Sequence, residues 1–174
     1  MSRLVPAALA FVLAAGAISG CSPQPEPEDP PQFASEEEAF AAAEETYRAY
    51  VDAVNQVDLS DPESFEDVYV WTSGVLNAEE RKSFSQMHAD GWIVDGTSVI
   101  LRIDHLSAKA DFDEVSLGAC VDVTGITLTD GSGASQVSAD RPPTQSAAVA
   151  LMSGESPTGY LVSDITGMAL EPPC

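Results

Sequence analysis

The stretch His88-Ala89-Asp90-Gly91-Trp92-Ile93-Val94 divides the sequence into two parts of different periodicity. Before it, apolar residues recur every three to four positions, as they do on one face of an α-helix. After it, apolar and polar residues alternate and β-branched residues become frequent, which is typical of strands. A run of helices followed by a run of strands predicts an α+β fold, in which helices cover one face of an antiparallel sheet.

Three helices are predicted on the N-terminal side of this stretch. Ser35-Glu36-Glu37-Glu38 is a capping box, and it opens an amphipathic helix over residues 36–57. Pro62, at a first helical position, opens a shorter helix that extends to about Val70. A second capping box, Asn77-Ala78-Glu79-Glu80, is predicted to open the third helix. The inward side chains of that helix are predicted to be Phe84, Met87 and His88.

Four strands are predicted on the C-terminal side, and they form one bent antiparallel sheet. The second strand is long enough to need a bend, for which Gly118 and Gly125 are candidate bulge sites. Turns rich in glycine, serine and proline separate the later strands. The predicted strands cover residues 98–108, 115–128, 144–152 and 159–166.

This order of elements resembles the NTF2-like cone, the fold of nuclear transport factor 2, ketosteroid isomerase and the polyketide-cyclase-like enzymes. Residues 88–94 are similar to the passage from the third helix to the sheet in that fold, and the resemblance covers residues 35–174. It implies a long first helix lying across a bent sheet, with a cavity between them. Because such a fold hosts enzymes, binders and scaffolds alike, the resemblance does not carry function.

The N-terminus has the pattern of an export signal. Arg3 precedes an uncharged, mostly apolar run over residues 4–18, which is shorter than the ~20 residues of a membrane-spanning helix. Ile18-Ser19-Gly20-Cys21 resembles the bacterial lipobox. The resemblance implies cleavage before Cys21 and a diacylglycerol thioether on its sulfur. The alternatives are an ordinary signal peptide whose Cys21 later forms a disulfide, and an uncleaved anchor helix.

A spacer follows the predicted lipidation site. Residues 22–31 contain five prolines and three acidic residues, a composition that predicts an extended tether. The predicted organisation is a signal peptide over residues 1–20, the lipidated cysteine and tether over 21–34, and an NTF2-like domain over 35–174. The predicted location is the extracytoplasmic face of the cell membrane, where two acyl chains on Cys21 hold the protein firmly.

Two further cysteines remain if Cys21 is lipidated. Exported proteins fold in an oxidising environment, so Cys120 and Cys174 are predicted to form a disulfide, with two free thiols as the alternative. The chain also resembles the small NTF2-like lipoproteins of actinobacteria, which tend to carry a strand cysteine and a C-terminal cysteine at corresponding places.

The charge of the chain excludes one class of partner. A formal net charge of −21 leaves no positive surface for nucleic acid or anionic lipid. With two histidines and no close cysteine partner, no zinc site is predicted. The carboxylates of Asp111, Asp113 and Glu114 lack the spacing of a calcium loop and are interpreted as part of a solvated turn. No cofactor is predicted.

His105 is the candidate catalytic residue. It shares a strand face with Val99, Leu101 and Ile103, and this aliphatic face is predicted to look inward, which leaves Asp104 in solvent beside Arg102. A histidine near the cavity could act as a general base, with Tyr47 of the first helix as the donor to an oxyanion. The alternative is an inert histidine near a strand end.

The sequence favours a non-catalytic, lipid-anchored binding or interaction module. Its partners would be the membrane, through Cys21, and a small apolar ligand or another exported protein. One alternative is a ketosteroid-isomerase-like or cyclase-like enzyme that acts on a hydrophobic small molecule, and it would use His105 and Tyr47. Another is a structural envelope protein with an acidic contact surface. Whether the protein is an enzyme depends on which titratable groups face a shared pocket.

Overall fold

A computed structural model describes residues 32–174 of the chain. The predictions for the signal peptide, for Cys21 and for most of the tether lie outside these residues. The helices are α1 (Glu36–Val54), α2 (Glu66–Tyr69), which continues a 3-10 turn over Pro62–Phe65, and α3 (Gly74–Ala89). The strands are β1 (Ile93–Asp95), β2 (Val99–Ala108), β3 (Glu114–Asp122), β4 (Thr127–Thr129), β5 (Thr144–Ser153) and β6 (Tyr160–Gly167).

The predicted fold class is confirmed. Three helices pack on one face of a four-stranded antiparallel sheet of order β2-β3-β5-β6. Alternate residues of β3 face the helices, and Val115, Leu117 and Ala119 are fully buried there. Phe40, Tyr47 and other residues on one face of α1 pack against them. Burial of this shared face is the main source of stability for both layers.

Helix α1 begins as the capping box predicts. The Ser35 hydroxyl accepts a hydrogen bond from the Glu38 amide at 3.2 Å, and the Glu38 carboxylate accepts one from the amide of Ala34 at 2.9 Å. The helix ends at Val54, three residues before the predicted end. Asn55 follows the last helical residue, and its side chain bonds both the amide and the carbonyl of Ser98, just before β2.

The predicted facing of strand β2 is partly wrong. Its register with β3 shifts between Ile100 and Arg102, and the shift turns Val99 and Leu101 outward, where each is 54% exposed. Ile100 faces the helices instead. Irregularities of this kind replace the predicted bulge at Gly118, which pairs regularly with Ala148. The predicted facing of β2 is wrong here because a bulge inverts the alternation of inward and outward side chains along a strand.

The predicted long second strand is two strands. β3 ends at Asp122, whose carboxylate accepts a hydrogen bond from the Thr124 amide at 2.8 Å and so starts a turn. Gly125 then lies against Gly96, and β4 pairs with β1 in a separate two-stranded sheet. The break at Gly125 is therefore a change of sheet, and it leaves a gap between the small sheet and the helices.

The third helix begins one turn earlier than predicted. Ser73 precedes it, and the Ser73 amide bonds the carbonyl of Val162 in β6, so the sheet edge sets the start of the helix. Asn77 is not the N-cap; its side chain donates a 2.8 Å hydrogen bond to the Thr72 hydroxyl. Because the helix begins earlier, Glu80 lies in its interior turns, on the inner face.

The C-terminal tail crosses the outer face of the sheet. The predicted disulfide between Cys120 and Cys174 is present, and it holds the end of the chain on β3. Leu170 is 5% exposed and lies over Gly118, where the absence of a side chain makes room for it. The Arg102 guanidinium donates a hydrogen bond to the carbonyl of Pro172. The tail therefore acts as a strap over the sheet.

Candidate functional site

Side chains fill the middle of the space between α1 and the sheet. Tyr160 is fully buried, and its hydroxyl donates a 2.6 Å hydrogen bond to the carbonyl of Phe112. Tyr47, 4% exposed, fills the middle of α1, and burial raises its pKa to about 12. The other large side chains that occupy this interior are Tyr50, Leu117, Val149, Leu151 and Val162.

One polar pair lies within this apolar interior. The Tyr50 hydroxyl of α1 donates a 2.7 Å hydrogen bond to Glu80 Oε1 of α3. Glu80 is 9% exposed, and its Oε2 has no hydrogen-bond partner among residues 32–174. Desolvation raises the pKa of Glu80, whereas the hydroxyls of Tyr50 and Thr72 lower it, and desolvation is the largest of these effects. Glu80 is also the one buried residue of α3.

The buried role of Glu80 is not predicted by the capping-box pattern in which it stands. Glu80, Phe84 and Met87 nevertheless follow one another at helical spacing on one face. A carboxylate among apolar residues of a helix face is a signal of a buried polar contact. The partner could not be identified, because Tyr50 is thirty positions away.

An apolar groove lies where α1, α3 and the small sheet meet. Its apolar half has a volume of about 150 Å³. Seven of its eight lining residues are half-buried and the eighth, Leu59, is buried. The groove exists because the chain leaves the main sheet at Gly125. The apolar half is lined by Val54, Val57, Leu59, Phe84, Met87, Val94, Ile126 and Leu128.

A wider, mixed half continues from this apolar half. It has a volume of about 390 Å³ and shares four residues with the apolar half: Val54, Val57, Val94 and Ile126. Its remaining lining residues are Asn55, Gln56, Asp95, Gly96 and Ser98. We call the two halves together the α1–α3 groove. Neither half is lined by a lysine or an arginine among the described residues.

The rim of the α1–α3 groove is held in place by short contacts. Asn55 Oδ1 accepts the Ser98 amide at 2.8 Å, which joins the end of α1 to the start of β2. Gly96 has a φ of +88°, and a Cβ at this position would lie 1.9 Å from the carbonyl oxygen of Gly125. Asp95 Oδ1 accepts the Gly96 amide at 2.8 Å. The turn at the rim is therefore fixed against both α1 and the turn that precedes β4.

The structure places His105 on the side of the sheet that faces α1, as predicted. Its ring stacks on Phe40 at 4.1 Å between centroids, and its Nε2 lies 2.8 Å from Glu44 Oε1. The side chain remains 48% exposed. Tyr47 is buried in the interior, and the two side chains do not meet in either half of the α1–α3 groove. Asp104 lies beside Arg102, as predicted, and forms an ion pair with it at 2.9 Å, but both side chains are half-buried and not free in solvent.

The other candidate groups lie in local structure. His88 Nδ1 lies 2.7 Å from the carbonyl oxygen of Leu59, so its ring tethers α3 to the loop after α1. Within residues 32–174 no group of three or more histidine, cysteine, aspartate or glutamate side chains is placed to hold a metal ion. In the same part of the chain, no helix combines the length and the apolar character needed to cross a bilayer.

Solved structures share this fold. The intermembrane space region of the chloroplast protein ARC6 matches with a TM-score of 0.52 at 14% identity, over 75% of this chain and 96% of that one. A proposed aromatic ring hydroxylase from Novosphingobium aromaticivorans matches with a TM-score of 0.50 at 13% identity, over 78% of this chain and 96% of that one. No family model matches the sequence, and no curated protein matches it significantly. Identities this low show likeness of fold alone, and the fold of this chain is the helix-covered antiparallel sheet that the order of elements predicts.

Proposed function

We propose that this chain is a lipid-anchored, extracytoplasmic binding module that presents the α1–α3 groove to its partner. The observation that carries the proposal is the contrast between a filled interior and an open apolar groove. A concave cleft with a mostly apolar lining is the usual form of a binding site. The groove here is lined almost entirely by aliphatic and aromatic side chains in its inner half.

The anchor is supported by the sequence. Residues 18–21 match the lipobox pattern, and the proline-rich residues 22–31 provide a spacer between a lipid and the folded region. The disulfide between Cys120 and Cys174 agrees with an oxidising compartment outside the cytoplasm. It also leaves Cys21 as the one cysteine outside this bond.

Replacing Cys21 with serine tests the anchor. We expect the variant to leave the membrane fraction or to accumulate unprocessed, because serine cannot form the thioether that holds the acyl chains. Fractionation of the native cells and mass analysis of the purified protein measure both outcomes. A Cys120→Ser variant, which removes a different cysteine, should remain with the membrane. Membrane attachment of the Cys21→Ser protein, with normal processing, would contradict the proposal.

A photoreactive side chain tests the groove. A diazirine amino acid at Val57, in the groove, should form intermolecular adducts in the native cells because the partner covers this position. The matched control is Val75, an exposed apolar residue on α3 that lies outside both halves of the groove. Adducts are measured by mass spectrometry. Equal labelling at the two positions would show that the groove is not where partners bind.

Catalysis is the less favoured function on geometric grounds. The isomerase or cyclase hypothesis needs His105 and Tyr47 to face one water-accessible pocket. Instead, His105 stacks on Phe40 and bonds Glu44, while the Tyr47 ring is buried in the interior. Binding through the α1–α3 groove requires none of these side chains to move.

A further inference from the structure

We propose that the occupant of the α1–α3 groove is an extended segment of another protein, which inserts one aliphatic or aromatic side chain next to a basic residue. This inference rests on the proposed function and adds the chemistry of the partner. Three observations support it: the size of the apolar half, the charge at the rim and the rigidity of the rim.

The apolar half has the size of a single side chain. Its volume of about 150 Å³ matches a cavity that accepts one benzene-sized group. A single buried anchor of this kind is typical of the hot spot in a protein interface. Leucine, methionine and phenylalanine side chains fit this space.

The mixed half provides a place for the flanking residues. With about 390 Å³ beside the anchor site, it accommodates a stretch of backbone and a neighbouring side chain. Its polar lining comes from Gln56, Asp95 and Ser98, among others. The side chain of Gln56 is oriented by a hydrogen bond, which its Nε2 donates to the carbonyl of Asp52 one helical turn earlier.

The charge at the rim selects a basic neighbour. Asp95 lines the mixed half and forms no ion pair among residues 32–174, and its Oδ1 accepts the amide of Gly96. The formal net charge of the chain is −21, which attracts a basic segment and repels a second copy of the same protein. Self-association through the groove is disfavoured for this reason.

The rim is held by contacts with backbone groups. Gly96 packs on Gly125, and Asn55 bonds both backbone groups of Ser98, so these residues are fixed before a chain binds. A site that is ordered before binding loses less conformational freedom when it binds. Asp95 is therefore held at a constant place beside the anchor site.

Synthetic peptides test both features of the proposed partner. The anchored protein, purified from its own cells in lipid nanodiscs, is titrated with blocked Gly-Lys-Leu-Lys-Gly, with its Leu-to-Ala analogue and with its Lys-to-Gln analogue. Loss of the leucine should weaken binding at least tenfold, since ~3 buried methylene groups are lost. Loss of the lysines should weaken it by roughly fivefold at low ionic strength.

Variants of the groove locate each preference. Asp95→Asn keeps an oxygen for the Gly96 amide but removes the charge, so it should remove the preference for lysine and leave the preference for leucine. Asp164→Asn, on the exposed face of β6, is the charge-matched control and should change neither preference. Val57→Phe fills the apolar half and should remove the preference for leucine, whereas Val75→Phe should not.

Two results would overturn the inference. One is equal affinity for the three peptides, or a lysine preference that Asp95→Asn and Asp164→Asn reduce equally, which would indicate general attraction to an acidic surface. The other is competition by hexylamine at concentrations below those of the peptide, which would indicate a small amphiphile as the occupant. If Val57 still labels a partner in cells after either result, the groove remains a binding site and only the class of occupant is wrong.

Discussion

Replacing Cys174 with serine should lower the free energy of unfolding by about 4 kcal/mol. The bond spans 54 positions of sequence, and a loop of this length restricts the unfolded chain strongly in the chain-entropy model. The loss also frees the tail, so that Leu170 no longer covers Gly118. Urea unfolding, followed by circular dichroism, measures the change, and the melting temperature should fall by roughly 10 °C.

The control for this prediction is Leu170→Ala, which keeps the covalent bond and removes the apolar contact. It should cost less, about 2–3 kcal/mol, because only side-chain burial is lost. A reducing agent should bring the wild-type protein to the stability of the Cys174→Ser variant and leave the variant unchanged. If reduction does not change the wild-type unfolding curve, the bond contributes no stability.

Replacing Tyr50 with phenylalanine should lower the free energy of unfolding by about 2–3 kcal/mol at neutral pH. The substitution removes the hydroxyl that donates to Glu80 at 2.7 Å and leaves a buried carboxylate without that partner. The loss should shrink in acid, because a neutral carboxyl group needs the donor less than a carboxylate does. Denaturant unfolding of both proteins across the pH range measures this difference.

Glu80→Gln should make the protein more stable at neutral pH and should remove part of its pH dependence. Burial raises the pKa of Glu80 above its ordinary value of 4.5, so the folded state binds this proton more tightly than the unfolded state. The wild-type protein therefore loses stability as the pH rises from that ordinary value through the raised one. Glutamine still accepts from Tyr50 but does not titrate, so the variant should lack this loss and be about 1 kcal/mol more stable at neutral pH.

Glu79→Gln is the matched control for the titration. Glu79 is the exposed neighbour of Glu80 on α3, and its replacement removes the same charge without touching Tyr50. It should leave the pH dependence of the wild-type protein unchanged. A Glu80→Gln variant with the wild-type pH profile would show that Glu80 does not carry the predicted titration.

Local signals in the sequence predict the elements well. The capping box at Ser35 and the apolar stripe of α1 depend on residues three or four positions apart, and both occur as predicted. The disulfide is predicted because two cysteines remain if Cys21 is lipidated and because exported proteins fold in an oxidising environment. The starts and ends of β2, β5 and β6 differ from the prediction by at most one residue.

Contacts between distant residues explain the errors. The start of α3 is set by the backbone bond between Ser73 and Val162 in β6, which no local pattern encodes. The facing of β2 depends on a register shift relative to β3, and the split at Gly125 depends on Gly96. The α1–α3 groove forms at this split. The sequence shows that its lining residues are apolar, but it does not show that they meet to form a site.

The strap has a practical consequence for anyone handling the protein. The side chain of Cys174 is bonded to Cys120 in the middle of the sheet. A protease cut between Asp122 and Cys174 leaves the two fragments joined by this bond, so nicked protein should stay one molecule until it is reduced. Any fusion partner or affinity tag added after Cys174 would emerge directly above β3 and would be held there by the bond.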